Sequence, residues 1–168
     1  RGEGRPGRAR EDAPIALLLD TSSSMTIGLD DALAVARWIA DAAPGGARVV
    51  QCDGRVRDDR ALGSGDEPLP IAGGGDLEVV VSPDPCEGCG VRHAYPVNGA
   101  LTDLGAGLDL LAREAGAVVV LTDGRVAPPR HRAARASITW VLVGDDWETP
   151  RLPGRVVDLR EGGGHSRK

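Results

Sequence analysis

Short apolar runs alternate with longer amphipathic stretches through most of the chain. Most of the runs are continuous, which is typical of strands buried on both faces of a parallel sheet. The stretch after Asp53 is mixed instead and predicts a short hairpin arm that turns back along the preceding strand. The first run predicts the central strand of the sheet. The predicted strands cover residues 15–19, 47–53, 54–62, 77–81, 117–121, 138–143 and 155–159, the last being an edge strand.

Two stretches between these runs repeat their apolar residues at helical spacing. Residues 29–43 begin with acidic residues and stop at a Pro-Gly-Gly sequence, so they predict a helix. Residues 102–115 predict a second helix, with Thr102 at its start and Gly116 after its end. Residues 130–136 predict a third, short helix.

Strands that alternate with helices predict an α/β fold, with a doubly wound, mostly parallel central sheet flanked by helices and joined by right-handed crossovers. We place this domain at residues 14–160. Residues 1–13 and 161–168 lack apolar periodicity and are rich in charge and glycine, so they predict flexible tails. Residues 82–100 hold three prolines and no periodic pattern, and a connection of that length is either functional or mobile.

The composition narrows the classes of function. The length and the 41% of apolar residues are enough for one conventionally packed domain. The formal net charge is −5 and the basic residues are dispersed or terminal, so we expect no nucleic-acid partner. Residues 1–10 contain no apolar stretch, so we expect them to form neither a signal peptide nor a membrane span, and we expect no association with a membrane. Three cysteines without a secretory signal favour reduced thiols, and therefore the cytoplasm.

A D-x-S-x-S sequence stands where the first predicted strand opens into a loop. It brings together the carboxylate of Asp20 and the hydroxyls of Ser22 and Ser24. Hard divalent cations such as Mg²⁺ prefer oxygen ligands and keep coordination positions for water or for another molecule's oxygen. The plainer interpretation is a serine-rich turn in which an Asp caps the next helix, because both residue types favour turns on backbone grounds.

Two later segments extend this pattern. Thr102 opens the second predicted helix, and Asp123 follows the strand predicted at residues 117–121. In open α/β sheets ligands bind at the carboxyl ends of the strands, where both Asp20 and Asp123 fall. The three segments follow each other in the order D-x-S-x-S, Thr and Asp, and the first and third stand directly after predicted strands. This arrangement resembles the metal-ion-dependent adhesion site of von Willebrand factor A-like domains. The resemblance covers roughly residues 14–159.

The resemblance implies a Rossmann-like fold with a site for Mg²⁺, or for Mn²⁺ or Ca²⁺. It implies that Ser22, Ser24 and Thr102 bind the metal directly, while Asp20 and Asp123 act partly through water. A carboxylate of a partner protein would fill the open position, which makes the site a protein-recognition device and not an enzyme active site. Bacterial intracellular members of this superfamily often work beside MoxR-type AAA+ ATPases, so such an ATPase is the expected partner.

The chain departs from the family in the loop before Thr102. Family members commonly have Gly-Gly directly before this residue, whereas this chain has Ala100 and Leu101. The run Gly73-Gly74-Gly75 offers glycines elsewhere, but it lacks the Thr and precedes a strand-like segment. We therefore prefer Thr102 as the residue of the second loop.

Two other functions compete with metal-dependent recognition. A metal-assisted hydrolase or phosphotransferase could use Asp20 and Asp123 around Mg²⁺, but the sequence places no His or Glu near either loop as a general base. A von Willebrand A-like scaffold that has lost the metal is the other, because Leu101 alters the loop geometry.

Cys86, Cys89 and His93 form a second candidate metal site. A C-x-x-C followed by a His can supply three zinc ligands, with Cys52, His131 or another chain as the source of a fourth. Only one C-x-x-C is present, so an ordinary loop with two thiols is the favoured interpretation.

Four further residues have simpler interpretations. Trp38 and Trp140 are expected to be packing residues, and Cys52 a small core residue. Asp53 ends its strand beside the proposed site and is expected in its outer part, although Asp-Gly is also an ordinary turn.

Overall fold

The computed structural model describes residues 13–63, 65, 69–72, 79–81, 94–96, 102–128, 136–144 and 151–160. The strands are β1 (Ile15–Asp20), β2 (Ala47–Cys52), β3 (Val56–Leu62), β4 (Val79–Val81), β5 (Ala94–Pro96), β6 (Ala117–Thr122), β7 (Ser137–Leu142) and β8 (Arg155–Asp158). The helices are α1 (Leu29–Ala42), α2 (Gly105–Ala112) and a short 3₁₀ helix, Ser23–Thr26.

Six of the strands form one sheet in the order β3-β2-β1-β6-β7-β8. All neighbours are parallel except β2 and β3, so β3 is the hairpin arm that the sequence predicts. The strand order reverses between β1 and β6, which is the switch point where doubly wound folds bind ligands. The predicted α/β class, with β1 near the centre and β8 at an edge, is confirmed, and the arrangement is compatible with a Rossmann-like fold.

The two α-helices cover opposite faces of this sheet. Leu17 and Leu19 of β1 pack with buried alanines of α1, whereas Ala16 and Leu18 pack with leucines of α2. Alternate residues of a strand point to opposite faces, so β1 is buried on both sides, as its continuous apolar run predicts. α2 lies close to the sheet, because a Cβ at Gly107 would collide with a methyl group of Leu18.

α1 confirms the first predicted helix, but the prediction for one of its side chains is wrong. Trp38, expected to be a packing residue, is 71% exposed. The buried stripe of α1 consists of alanines four residues apart, and Trp38 falls midway between Ala36 and Ala40, on the opposite side of the helix. Trp140 is fully buried, as predicted, and its indole N–H donates to the Pro153 carbonyl at 2.7 Å.

α2 is shorter than the helix predicted at residues 102–115. It begins at Gly105, because Thr102 pairs with Val126 in a β-bridge and the Asp103 carboxylate accepts the Gly105 N–H. It ends three residues before the predicted end. The apolar spacing therefore overestimates this helix on both sides.

β4 and β5 form a separate antiparallel pair. β4 falls within the strand predicted at residues 77–81, but β5 lies in the stretch 82–100, so the expectation of wholly irregular structure there is wrong. Pro96 pairs with Val79 at the end of this short ladder. Because proline lacks a backbone N–H, it is tolerated mainly at the ends or edges of a sheet, and Pro96 lies at such an end.

Several predictions fall on other parts of the chain. Residues 1–12, 129–135 and 161–168, which hold the predicted tails and most of the third helix, lie outside the described residues. Within the described ranges, none of the helices combines the length and the apolar character that crossing a membrane requires.

Candidate metal centre

A row of four buried residues crosses the carboxyl end of the sheet on the face that α2 covers. Asp20 ends β1 opposite Cys52 of β2, and Thr122 ends β6 opposite Leu142 of β7. The register of β1 with β6 places Asp20 beside Thr122. None of the four exposes more than 2% of its surface. The polar pair is therefore flanked by a thiol and a leucine, far from bulk water.

Asp20 is held by two neutral donors. Its Oδ1 accepts the Ser22 backbone N–H at 2.9 Å, and its Oδ2 accepts the Thr122 hydroxyl at 2.7 Å. Burial raises the pKa of Asp20 to about 6, against the lowering effect of these hydrogen bonds, and the charge of Asp123 acts in the same direction as burial. An ionised Asp20 is therefore costly to the fold unless a positive charge lies beside it.

Asp123 directly follows β6 and is 1% exposed. Its Oδ1 accepts the Arg125 backbone N–H at 2.9 Å, which closes the turn after the strand. Its Oδ2 is buried, and no group in the described part of the chain forms a hydrogen bond with it. Buried polar oxygens rarely lack a partner, and an oxygen-seeking cation is one that would satisfy this atom.

The two serines of the D-x-S-x-S loop lie side by side. The Oγ atoms of Ser22 and Ser24 are 3.2 Å apart, and both residues are partly exposed. Met25 attaches the loop to the core, because its side chain is buried and its N–H donates to the Ser22 carbonyl at 3.0 Å. Thr21 continues the pairing of β1 by donating its N–H to the Cys52 carbonyl. The two hydroxyls thus lie on a turn that backbone hydrogen bonds attach to Met25 and to β2.

Thr102 is joined to the Asp123 loop through the backbone. Its N–H donates to the Arg125 carbonyl at 2.9 Å, and its carbonyl accepts the Ala127 N–H at 2.8 Å. Backbone hydrogen bonds thus connect the loop of Thr102 to the loop of Asp123. A second set of hydrogen bonds runs from Ser22 to Asp20, from Asp20 to Thr122 and from Thr122 to Gly124 in the turn of Asp123. Leu101, whose side chain departs from the family pattern, lies outside the described residues.

This donor set fits a hard cation. Two carboxylates and hydroxyl groups offer only oxygen, which Mg²⁺, Mn²⁺ and Ca²⁺ accept. No cluster of three or more His, Cys, Asp or Glu side chains that could hold a metal occurs among the described residues.

The other candidate residues either lie outside the described residues or are not ligands of the proposed centre. Cys86, Cys89 and His93 lie outside the described residues, so the zinc hypothesis stays a prediction. Cys52 is fully buried, as expected of a core residue, and burial raises the pKa of its thiol. Asp53 accepts the Arg57 guanidinium at 2.6 Å, so it already has a cationic partner.

Sequence reasoning missed Thr122. The alternation of residues along the strand could have predicted its position. Residues two apart on a strand share a face, and Thr122 follows the buried Val118 and Val120 on the α2 face. Asp20 follows Ala16 and Leu18 on that same face in the neighbouring strand. A hydroxyl and a carboxylate at equivalent strand ends were therefore predictable neighbours.

The chain also has a groove at the opposite end of the sheet. It encloses about 500 Å³ between Ile15, Arg48, Leu111 and Glu114, at the amino ends of β1 and β6. Arg48 and Glu114 are joined there by a 2.6 Å ion pair. This groove lies at the end of the strands opposite to Asp20, so it does not form part of the metal centre.

Comparisons with protein-family models, with curated proteins and with solved structures find no match to this chain.

Proposed function

We propose that this chain is a von Willebrand A-like domain that recognises a protein partner through a divalent cation. Asp20, Ser22, Ser24, Thr102 and Asp123 hold Mg²⁺, or Mn²⁺ or Ca²⁺, and a carboxylate of the partner completes the coordination. The observation that carries the proposal is the buried Asp123 Oδ2, which lies near the buried Asp20 and finds no hydrogen-bond partner among the described residues.

The electrostatics of the two carboxylates support a cation. Asp20 and Asp123 each repel the other's charge, and no described arginine or lysine forms an ion pair with either of them. A divalent ion would remove this repulsion and bind both carboxylates, directly or through water. The position of Asp20 and Asp123 at the switch point of the sheet supports the same conclusion, because ligands of doubly wound folds bind there.

Recognition fits this centre better than hydrolysis does. Among the described residues, the hydrogen bonds to Asp20 come from the Thr122 hydroxyl and the Ser22 backbone N–H, and neither group can act as a general base at neutral pH. A cation bound mainly by hydroxyls keeps enough charge to attract an external carboxylate. On the family resemblance, we propose a MoxR-type AAA+ ATPase in the cytoplasm as the partner class.

Pull-downs from lysate of the native host test the proposal. Wild-type protein should retain a set of partners in Mg²⁺ that is released by EDTA, and Asp123→Asn should lose the same set. Asp41→Asn is the matched control, because Asp41 is exposed on α1 and lies outside the proposed centre. Identical captured proteins with Mg²⁺ and with EDTA would contradict metal-dependent recognition.

A further inference from the structure

We propose that Thr122 is a positioning residue of the metal centre, whose hydroxyl holds Asp20 in the orientation that binds the cation. This inference rests on the proposed function and adds a residue to it. Thr122 does not touch the metal in this account. It acts on Asp20 and on the turn that carries Asp123.

The hydroxyl of Thr122 has a defined direction. It is fully buried, donates to Asp20 Oδ2 at 2.7 Å, and accepts the Gly124 N–H at 3.2 Å. Because Gly124 supplies its only hydrogen to the Thr122 oxygen, the Thr122 proton is left for Asp20. The chain Gly124 to Thr122 to Asp20 therefore connects the turn after β6 to the end of β1.

This connection sets the carboxylate plane of Asp20. Ser22 donates to one carboxylate oxygen and Thr122 to the other, so rotation of the group would break a bond on either side. Each carboxylate oxygen has further lone pairs, which leaves Asp20 able to bind a cation or a metal-bound water. Groups that orient metal ligands in this way commonly change metal affinity although they do not touch the ion.

Thr122→Val tests the inference, because valine keeps the branched shape and removes the hydroxyl. Binding of Mn²⁺, followed by electron paramagnetic resonance, should weaken by about 10- to 100-fold. Thr122→Ser should restore it, because serine keeps the donor. Thr139→Val is the matched control: it makes the same chemical change on β7, and its Mn²⁺ affinity should equal that of the wild type. Thr122→Ala serves if the valine variant does not fold.

A metal-free readout accompanies the titration. In EDTA the Gly124 amide should exchange with solvent about tenfold faster in Thr122→Val than in wild type, and at the wild-type rate in Thr122→Ser. If the role of Thr122 were merely structural, Thr122→Val would lower the stability of the protein. The Mn²⁺ affinities of Thr122→Val and Thr122→Ser would then be equal.

The outcomes separate this inference from the proposed function. Wild-type protein that binds Mn²⁺, with unchanged affinity in Thr122→Val or Thr122→Ala, would overturn the positioning role and leave the metal centre standing. Wild-type protein that binds no divalent ion would overturn the proposed function, and the positioning role with it. Weakening in the valine variant with recovery in the serine variant supports both.

Discussion

Carboxylates at the edge of the sheet and at its centre are held in opposite ways. On the edge strand β3, Asp59 accepts two hydrogen bonds from Arg48, at 2.7 and 2.8 Å, and Asp58 pairs with Arg60. These guanidinium partners hold the pKa of both carboxyls below the usual value. At the centre, Asp20 has only neutral donors, and burial raises its pKa to about 6.

The difference shows where the chain supplies its own cations and where it does not. At the edge, water and arginine both stabilise the ionised carboxylate, so each such pair contributes at most about 1 kcal/mol to stability. At the centre, the charge of Asp20 lies beside that of Asp123 and away from water, where an uncompensated ion is costly. On the proposed function, the centre takes its cation from solution, whereas the edge carboxylates already have arginine partners.

The largest expected effect follows from the raised pKa of Asp20. A carboxyl whose pKa rises from 3.8 to about 6 on folding contributes stability that is fully present below about pH 4 and is lost as the pH rises through 6. In EDTA, the stability of Asp20→Asn relative to wild type should thus improve by roughly 2.5 kcal/mol between pH 4 and pH 8. Urea unfolding at the two pH values measures it.

Comparing the variant with the wild type cancels the titration of other groups. Asp123→Ala at the same pH values isolates the contribution of the neighbouring charge. A difference between Asp20→Asn and wild type that stays constant from pH 4 to pH 8 would mean that Asp20 titrates normally in the folded protein. The contrast between centre and edge would then be lost.

A smaller effect is expected at the edge. Arg48→Met removes the cation that Asp59 and Glu114 share, and should destabilise the protein at pH 7 by about 1 to 2 kcal/mol, less in high salt. Arg113→Met is the matched control, since Arg113 is exposed and forms no ion pair with a described residue. Equal unfolding midpoints in urea for the two variants would show that the edge pairs contribute nothing.

The smallest effect should have the opposite pH dependence to that of Asp20. Asp58→Asn should destabilise the protein at pH 7 by about 0.2 to 1 kcal/mol. Because Arg60 lowers the pKa of Asp58, this contribution is present above the ordinary carboxyl pKa and is lost as the pH falls. Stability measured from pH 7 down to pH 3 should show the loss fade. An effect that grew toward low pH would contradict the assignment.

The sequence predicted the elements that build the centre more reliably than the contacts within it. The continuous apolar run before Asp20 placed that carboxylate at the end of a buried central strand, and the run before Asp123 did the same. The distribution of ion pairs along β3 could not be predicted, because it depends on which strand lies at the edge. The partner of Asp20 was missed because Thr122 was considered only as part of a strand end.

Local contacts also explain where the predicted elements were wrong. Apolar spacing continues through residues 102–115, yet the backbone pairing of Thr102 with Val126 prevents the helix from starting there. Periodicity measures which residues can share a helical face. It does not register a competing β-bridge between segments far apart in the chain, and that bridge is what brings Thr102 to the Asp123 loop.

A titration with Mn²⁺ tests the central claim most directly. Metal-free wild-type protein should bind close to one Mn²⁺ per chain, observed by electron paramagnetic resonance, and Mg²⁺ should compete for the same site. The double variant Asp20→Asn, Asp123→Asn should lose this binding, whereas the matched edge variant Asp58→Asn, Asp59→Asn should keep it. Binding that survives in the first double variant, or is lost only in the second, would contradict a cation site at the carboxyl ends of β1 and β6.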